Sequence, residues 1–125
     1  MNDKINIFIS KNKVKKLVIH CSDTPNIENL TALDIHKMHL SFGWDGIGYH
    51  KIIQRNGKIE NGRPEFWVGA HTYGINETSL GICLIGRNKF TVKQFSSLKI
   101  ILRIFFMLVN FLSTIFLHQN LDKFF

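Results

Sequence analysis

The residues in this chain most able to do chemistry are its histidines. Of the six, His20, His39, His50, His71 and His118 fall at the ends of apolar runs or beside loop-forming residues. Imidazole is the commonest metal ligand among side chains and carries protons near neutral pH. His20 ends the run Lys16-Leu17-Val18-Ile19-His20, and His118 ends Ser113-Thr114-Ile115-Phe116-Leu117-His118, so both are candidate metal ligands. A catalytic zinc usually takes three protein ligands and leaves a fourth position to water, so a third donor has to be sought. Cys21 adjoins His20, but successive strand side chains point to opposite faces, and both cannot face one metal on a regular strand. Cys83 lies mid-strand and reads as core, while Asp122 is the nearest oxygen donor to His118. Tyr49, with an ordinary pKa of about 10, suits hydrogen-bond donation to a developing oxyanion or a proton relay better than a role as a free base. Packing of its ring on Trp44 is the alternative reading.

These side chains need elements to hold them. Leu17-Val18-Ile19 reads as a central strand, ended by the loop chemistry of Ser22-Asp23-Thr24-Pro25-Asn26. Thr31 is a plausible cap for a helix over 32–42, which Gly43 stops. The glycine-rich stretch 43–48 forms a structured loop into a strand, Tyr49-His50-Lys51-Ile52-Ile53. It lacks the Gly-Lys-Ser/Thr ending of a phosphate loop. Asn56-Gly57 signals a tight antiparallel hairpin returning as Ile59-Glu60, and Ser79 to Gly86 reads as a buried strand. Thr91-Val92-Lys93-Gln94 is a capping sequence for a long helix to about Leu112, and 113–118 reads as a closing strand. Strands separated by helices, with one hairpin, give an α/β fold: a mixed central sheet flanked by helices. Trp44, Trp67 and Tyr73 lie near the loops, where stacking on a ligand and core packing both remain open.

At 125 residues the chain fits one domain. Residues 1–15 form a polar basic flank and 16–125 the domain itself. A formal net charge of +7 and a pI near 9.7 favour a polyanionic partner. No nucleic-acid motif accompanies the lysines, so nucleic acid is not expected. Two cysteines without a close pair read as small buried hydrophobes in a reducing compartment. The N-terminus lacks the pattern of a secretory signal. The segment 98–117 has the length of a membrane span. Lys99, Arg103, Asn110 and the preceding cap favour a buried core helix over membrane contact.

Several motifs, in one order, carry a resemblance. They are Val18-Ile19-His20-Cys21-Ser22-Asp23-Thr24, His39-Leu40-Ser41-Phe42-Gly43-Trp44, Gly48-Tyr49-His50, Arg55-Asn56-Gly57, Val68-Gly69-Ala70-His71, and Ser79-Leu80-Gly81-Ile82-Cys83-Leu84-Ile85-Gly86. From about Lys16 to His118 the chain resembles the zinc-dependent N-acetylmuramoyl-L-alanine amidases, the group that includes phage lysozyme-like amidases and peptidoglycan recognition proteins. The resemblance implies a single amidase-like domain with Zn2+ as cofactor, His20 and His118 as metal ligands, and Tyr49 as a catalytic residue. It further implies that His50 and His71 line the substrate cleft; Trp44, from its place beside the loops, is the candidate aromatic contact for substrate. Where the family carries a His-Arg-Asp-Leu-like motif, this chain reads His118-Gln119-Asn120-Leu121, and the Lys and zinc-binding Cys that follow in the family are not matched before Phe125. Lys123 is the nearest counterpart of that lysine. The implied function is hydrolysis of the amide between N-acetylmuramic acid and L-alanine in peptidoglycan. Its competitors are a non-catalytic peptidoglycan-binding module, a truncated inactive amidase, and a small basic domain anchored to membrane by 98–117. The chain is expected to be a monomer, made in a bacterial cytoplasm without a signal peptide and acting on the cell wall, with a phage or prophage origin.

Overall fold

The computed structural model describes residues 14–109 and 114–117, with side chains for 14–107. Five strands form one sheet in the order β3-β2-β4-β1-β5. They are β1 (Lys16–Cys21), β2 (Lys51–Ile53), β3 (Ile59–Asn61), β4 (Ser79–Leu84) and β5 (Thr114–Leu117), joined by helices α1 (Ala32–Ser41) and α2 (Val92–Val109). The pairs β1/β4, β1/β5 and β2/β4 are parallel and, among the described residues, only the hairpin β2/β3 is antiparallel. The sheet is therefore mixed, as the alternation of elements predicts. The core begins ahead of β1: Val14 is buried, and the Lys15 amide donates to the Thr78 carbonyl at 2.9 Å.

Strand alternation sorts the sheet into two faces. Leu17, Ile19, Ile53, Ile82 and Leu84 pack with Leu98 and Phe105 of α2. Ile52, Cys83 and Ile85 pack with Ala32 and Ile35 of α1. His20 shares the α1 face, because it pairs in register with Cys83. One helix covers each face, and the chemistry lies on the α1 side.

Both helices start on the caps their sequences announce. Asp34 accepts from the Thr31 amide and hydroxyl at 2.8 and 3.0 Å. In α2 the box is reciprocal: the Gln94 amide donates to Thr91 Oγ1 and the Thr91 amide to Gln94 Oε1, both at 3.0 Å. The same groups tie the helix to the sheet. Thr91 Oγ1 donates to the Arg55 carbonyl at 2.7 Å, and the buried Gln94 amide reaches the carbonyls of Ile53 and Ile85. Thr91→Ala loses the cap and the bridge together, so urea denaturation is expected to show a loss of about 1–2 kcal/mol; an unchanged midpoint would contradict this. The apolar run read as a core helix or a membrane span packs on the sheet through Leu98 and Phe105, with Lys99 and Arg103 exposed. Among the described residues no helix is long and apolar enough to cross a membrane.

Candidate active site

β1 delivers His20 to the α1 face with only 2% of its surface exposed. Its Nε2 lies 2.9 Å from His71 Nδ1 and 3.2 Å from Thr72 Oγ1, and Thr72 Oγ1 lies 3.1 Å from His71 Nδ1. Tyr49 closes another side, its ring 5.1 Å from that of His20 and 5.3 Å from that of His39. Residues 51 positions apart in sequence thus meet at one point. That point sits over Gly81 of β4, where the strand carries no side chain.

The absence of bulk is supplied by glycine. A Cβ on Gly81 would lie 2.6 Å from His71 Cγ, and one on Gly69 would lie 2.5 Å from His71 Cδ2 and 2.7 Å from His50 Cε1. The His71 ring therefore rests directly on backbone, and any larger residue at either position must displace it. The loop that carries it is pinned by Asn76, whose Oδ1 accepts from the amides of His71 and Thr72 at 3.0 and 2.9 Å. A 3-10 turn, Asn76–Thr78, then leads straight into β4.

α1 contributes by holding the loop that presents Tyr49. His36 Nδ1 accepts from the Ile47 amide and His39 Nδ1 from the Gly48 amide, each at 3.0 Å. Gly46 adopts φ +131°, and a Cβ there would meet the His36 ring, so this position requires glycine. Arg63 fastens the loop from the other side through the carbonyls of Ile47 and Val68. Burial, aided by the charges of Arg63 and His36, holds the His39 pKa below the ordinary imidazole value, opposed by a hydrogen bond to the Gly46 backbone. His39 is a loop clamp, its Nδ1 committed to the Gly48 amide.

Tyr49 is largely buried, and that burial raises its pKa far above the ordinary phenol value, with the neighbouring Cys83 and Cys21 adding to the effect. Its hydroxyl keeps its proton at any physiological pH. Cys83 is completely buried, which pushes its own pKa up. Both cysteines are buried and neither forms a disulfide, as core residues should be. Trp44 is half exposed, with its ring 4.6 Å from His39 and 5.3 Å from Phe42, so one side remains open beside the cleft.

His50 is placed differently from what the motif implied. It is fully buried, its Nδ1 accepting from the Gly81 amide at 3.0 Å and its Nε2 donating to the Trp67 carbonyl at 2.8 Å. With both nitrogens committed to backbone, His50 supports His71 from beneath and offers no surface to a ligand. Burial lowers its pKa to about 4, from an ordinary value of 6.5. The folded state thus resists a proton that the unfolded chain accepts. Stability from this group is full above pH 6.5 and falls between pH 6.5 and pH 4, by about 3 kcal/mol in all. Urea denaturation at pH 7 and pH 4.5 is expected to show a larger loss in the wild type than in His50→Gln. Equal losses would contradict the assignment.

His118, Asp122 and Lys123 lie outside the described residues. β5 ends at Leu117, whose register partner is Ile19, the residue before His20. Among the described residues no group of three His, Cys, Asp or Glu side chains could hold a metal. The donor chemistry at His20 suits zinc, with a second imidazole and a hydroxyl adjacent, but the described set stops short of three such ligands.

A mixed sheet that brings His20, His71, Thr72 and Tyr49 together on one face is the frame for the following matches. The family described as N-acetylmuramoyl-L-alanine amidase matches residues 10–120, and the chain belongs to it. The endolysin of Escherichia phage T7 is 39% identical over 79 residues, covering 63% of this chain and 52% of that protein. The chain therefore spans about half the length of that relative. Among solved structures, the amidase LysC from Clostridium intestinale superposes with a TM-score of 0.76 at 33% identity, covering 88% of this chain and 74% of that one. Peptidoglycan recognition protein-LE, in complex with a monomeric diaminopimelic acid-type peptidoglycan, gives a TM-score of 0.76 at 28% identity, covering 85% and 69%.

Proposed function

We propose that this domain hydrolyses the amide between N-acetylmuramic acid and L-alanine in peptidoglycan. The observation that carries the reading is the convergence of His20, His71, Thr72 and Tyr49 on one face of the sheet in a member of the amidase family. Zinc is the cofactor of this reading, held by His20 and His118, and when bound it supplies Lewis-acid polarisation of the carbonyl and a water made acidic enough to attack near neutral pH. The path of the chain from β5 supports that pairing, since Leu117 lies in register with Ile19. Tyr49, kept protonated by burial, donates to the oxyanion that forms as the amide carbonyl is attacked. His71 lines the cleft, Trp44 offers an exposed ring for stacking, and His50 acts from beneath. The net charge of +7 suits an anionic cell wall. A monomer made in a bacterial cytoplasm and acting on the wall, of phage or prophage origin, completes the reading.

A peptidoglycan-binding module without hydrolysis is the second reading, favoured by the likeness to peptidoglycan recognition protein-LE, solved in complex with a peptidoglycan fragment. Dye-labelled peptidoglycan separates the two. Release of soluble dye by the zinc-supplemented protein, abolished by a chelator and restored by zinc, supports the hydrolase. Retention of the protein on the polymer with no release at any zinc level supports the binding module.

A further inference from the structure

Helix α2 has two faces, and the fold uses one of them. Leu98 and Phe105 pack on the sheet, while the cations Lys93, Lys99 and Arg103 and the apolar Ile100, Ile104 and Met107 are exposed. Lys99, Arg103 and Met107 follow one another at four-residue spacing, and Lys93, Ile100 and Ile104 at spacings of seven and four, so all six share one stripe. The helix contains no acidic residue. Among the described residues the ion pairs are Lys51 with Glu65 and Arg87 with Asp23, so the three cations of the stripe are not neutralised by the domain itself. Its apolar members are all more than half exposed. Ile104 also borders a cavity of about 180 Å3 whose other walls include Leu17, Leu80, Ile82 and Phe105, so the apolar surface continues inward from the stripe.

We propose that the outer face of α2 is a docking surface for an anionic lipid bilayer. Charge and apolarity together select this occupant. A second copy of the chain brings three cations against three cations. A nucleic acid or another water-soluble polyanion takes up the charge but leaves Ile100, Ile104 and Met107 in water. An anionic bilayer satisfies both, with Lys93, Lys99 and Arg103 among the headgroups and the three apolar side chains at the acyl boundary. The helix lies on the surface without crossing it, since Leu98 and Phe105 remain in the core. The His20 cleft is on the opposite face of the sheet, so docking through α2 turns it away from the lipid. In the amidase reading, on which this consequence alone rests, a domain docked on the outer side of the membrane presents its cleft to the wall polymer.

Flotation of the full chain with vesicles tests this, using phosphatidylcholine alone and phosphatidylcholine mixed equally with phosphatidylglycerol. The wild type is expected to float only with the anionic vesicles, and less as salt rises from about 0.05 M to about 0.5 M. A Lys99→Gln/Arg103→Gln variant should bind about thirtyfold more weakly, each basic residue near an anionic surface contributing roughly fivefold. An Ile100→Ser/Met107→Ser variant should lose about tenfold. Both should keep native circular dichroism and wild-type release of dye from dispersed peptidoglycan. If the apolar variant binds as the wild type does, the surface recognises charge alone, as for a nucleic acid or a soluble wall polymer, and the lipid assignment falls. A wild type that floats equally with both vesicles, or with neither, overturns the proposal without recourse to any variant. Anionic-vesicle binding by a protein that hydrolyses no peptidoglycan would sink the amidase reading and leave the docking surface in place.

Discussion

Replacing His20 with alanine is expected to lower kcat/KM on peptidoglycan by at least about a thousandfold, the scale set by losing the group that organises a hydrolytic centre. His20 is the residue on which the other side chains converge: His71, Thr72 and Tyr49 all contact it. Removing the imidazole takes away one proposed metal ligand and the partner of His71 Nδ1 in a single step. Zinc measured by elemental analysis of the purified variant should fall with activity, while circular dichroism stays native, because the packing of β1 rests on Leu17, Val18 and Ile19. His36→Ala is the informative companion. His36 holds the same loop through the Ile47 amide without touching His20, so it should reduce activity far less and leave zinc content unchanged. Equal activities for wild type and His20→Ala would remove the basis of the functional reading.

Tyr49→Phe should lower kcat between about a hundredfold and a thousandfold with KM nearly constant, the range measured when one oxyanion donor is deleted. The substitution keeps the ring and its contacts with His20 and His39 and removes only the hydroxyl. Because burial drives the Tyr49 pKa upward, the donor form persists throughout the working range. No alkaline loss of activity near pH 10 should therefore trace to this residue. Steady-state rates across pH for both proteins check the two statements together. A phenylalanine variant with wild-type kcat would make Tyr49 a packing residue, the alternative its place near Trp44 allowed.

Much of this was legible in the sequence where the signal is local. Asn56-Gly57 announces the hairpin, Thr91 and Gln94 announce the start of α2, and the apolar run before His20 announces the strand that delivers it. Each of these is set by residues within a few positions of one another. What stayed hidden depends on contacts across long stretches of chain. Periodicity marks β4 as buried but does not say that it inserts between β2 and β1. Ser79 reads as the first residue of a buried strand, and nothing in its neighbourhood announces that it faces a histidine eight positions earlier. Thr72 and Asn76 read as ordinary loop polars for the same reason. His50 shows the opposite failure: a motif marks it as important, yet the spacing cannot distinguish a side chain on the cleft from one beneath it. His36 carries no signal of its role in the sequence, because it accepts a backbone hydrogen bond from a loop that only the folded chain brings near.

Mass spectrometry of the soluble products from purified peptidoglycan tests the central claim most directly. The amidase reading predicts glycan fragments whose muramic acid carries a free carboxyl group, together with stem peptides that begin with an unblocked L-alanine amine. Products in which that amide is intact, whether from cleavage of the sugar chain or within the peptide, or no products at all from zinc-loaded protein, would contradict it.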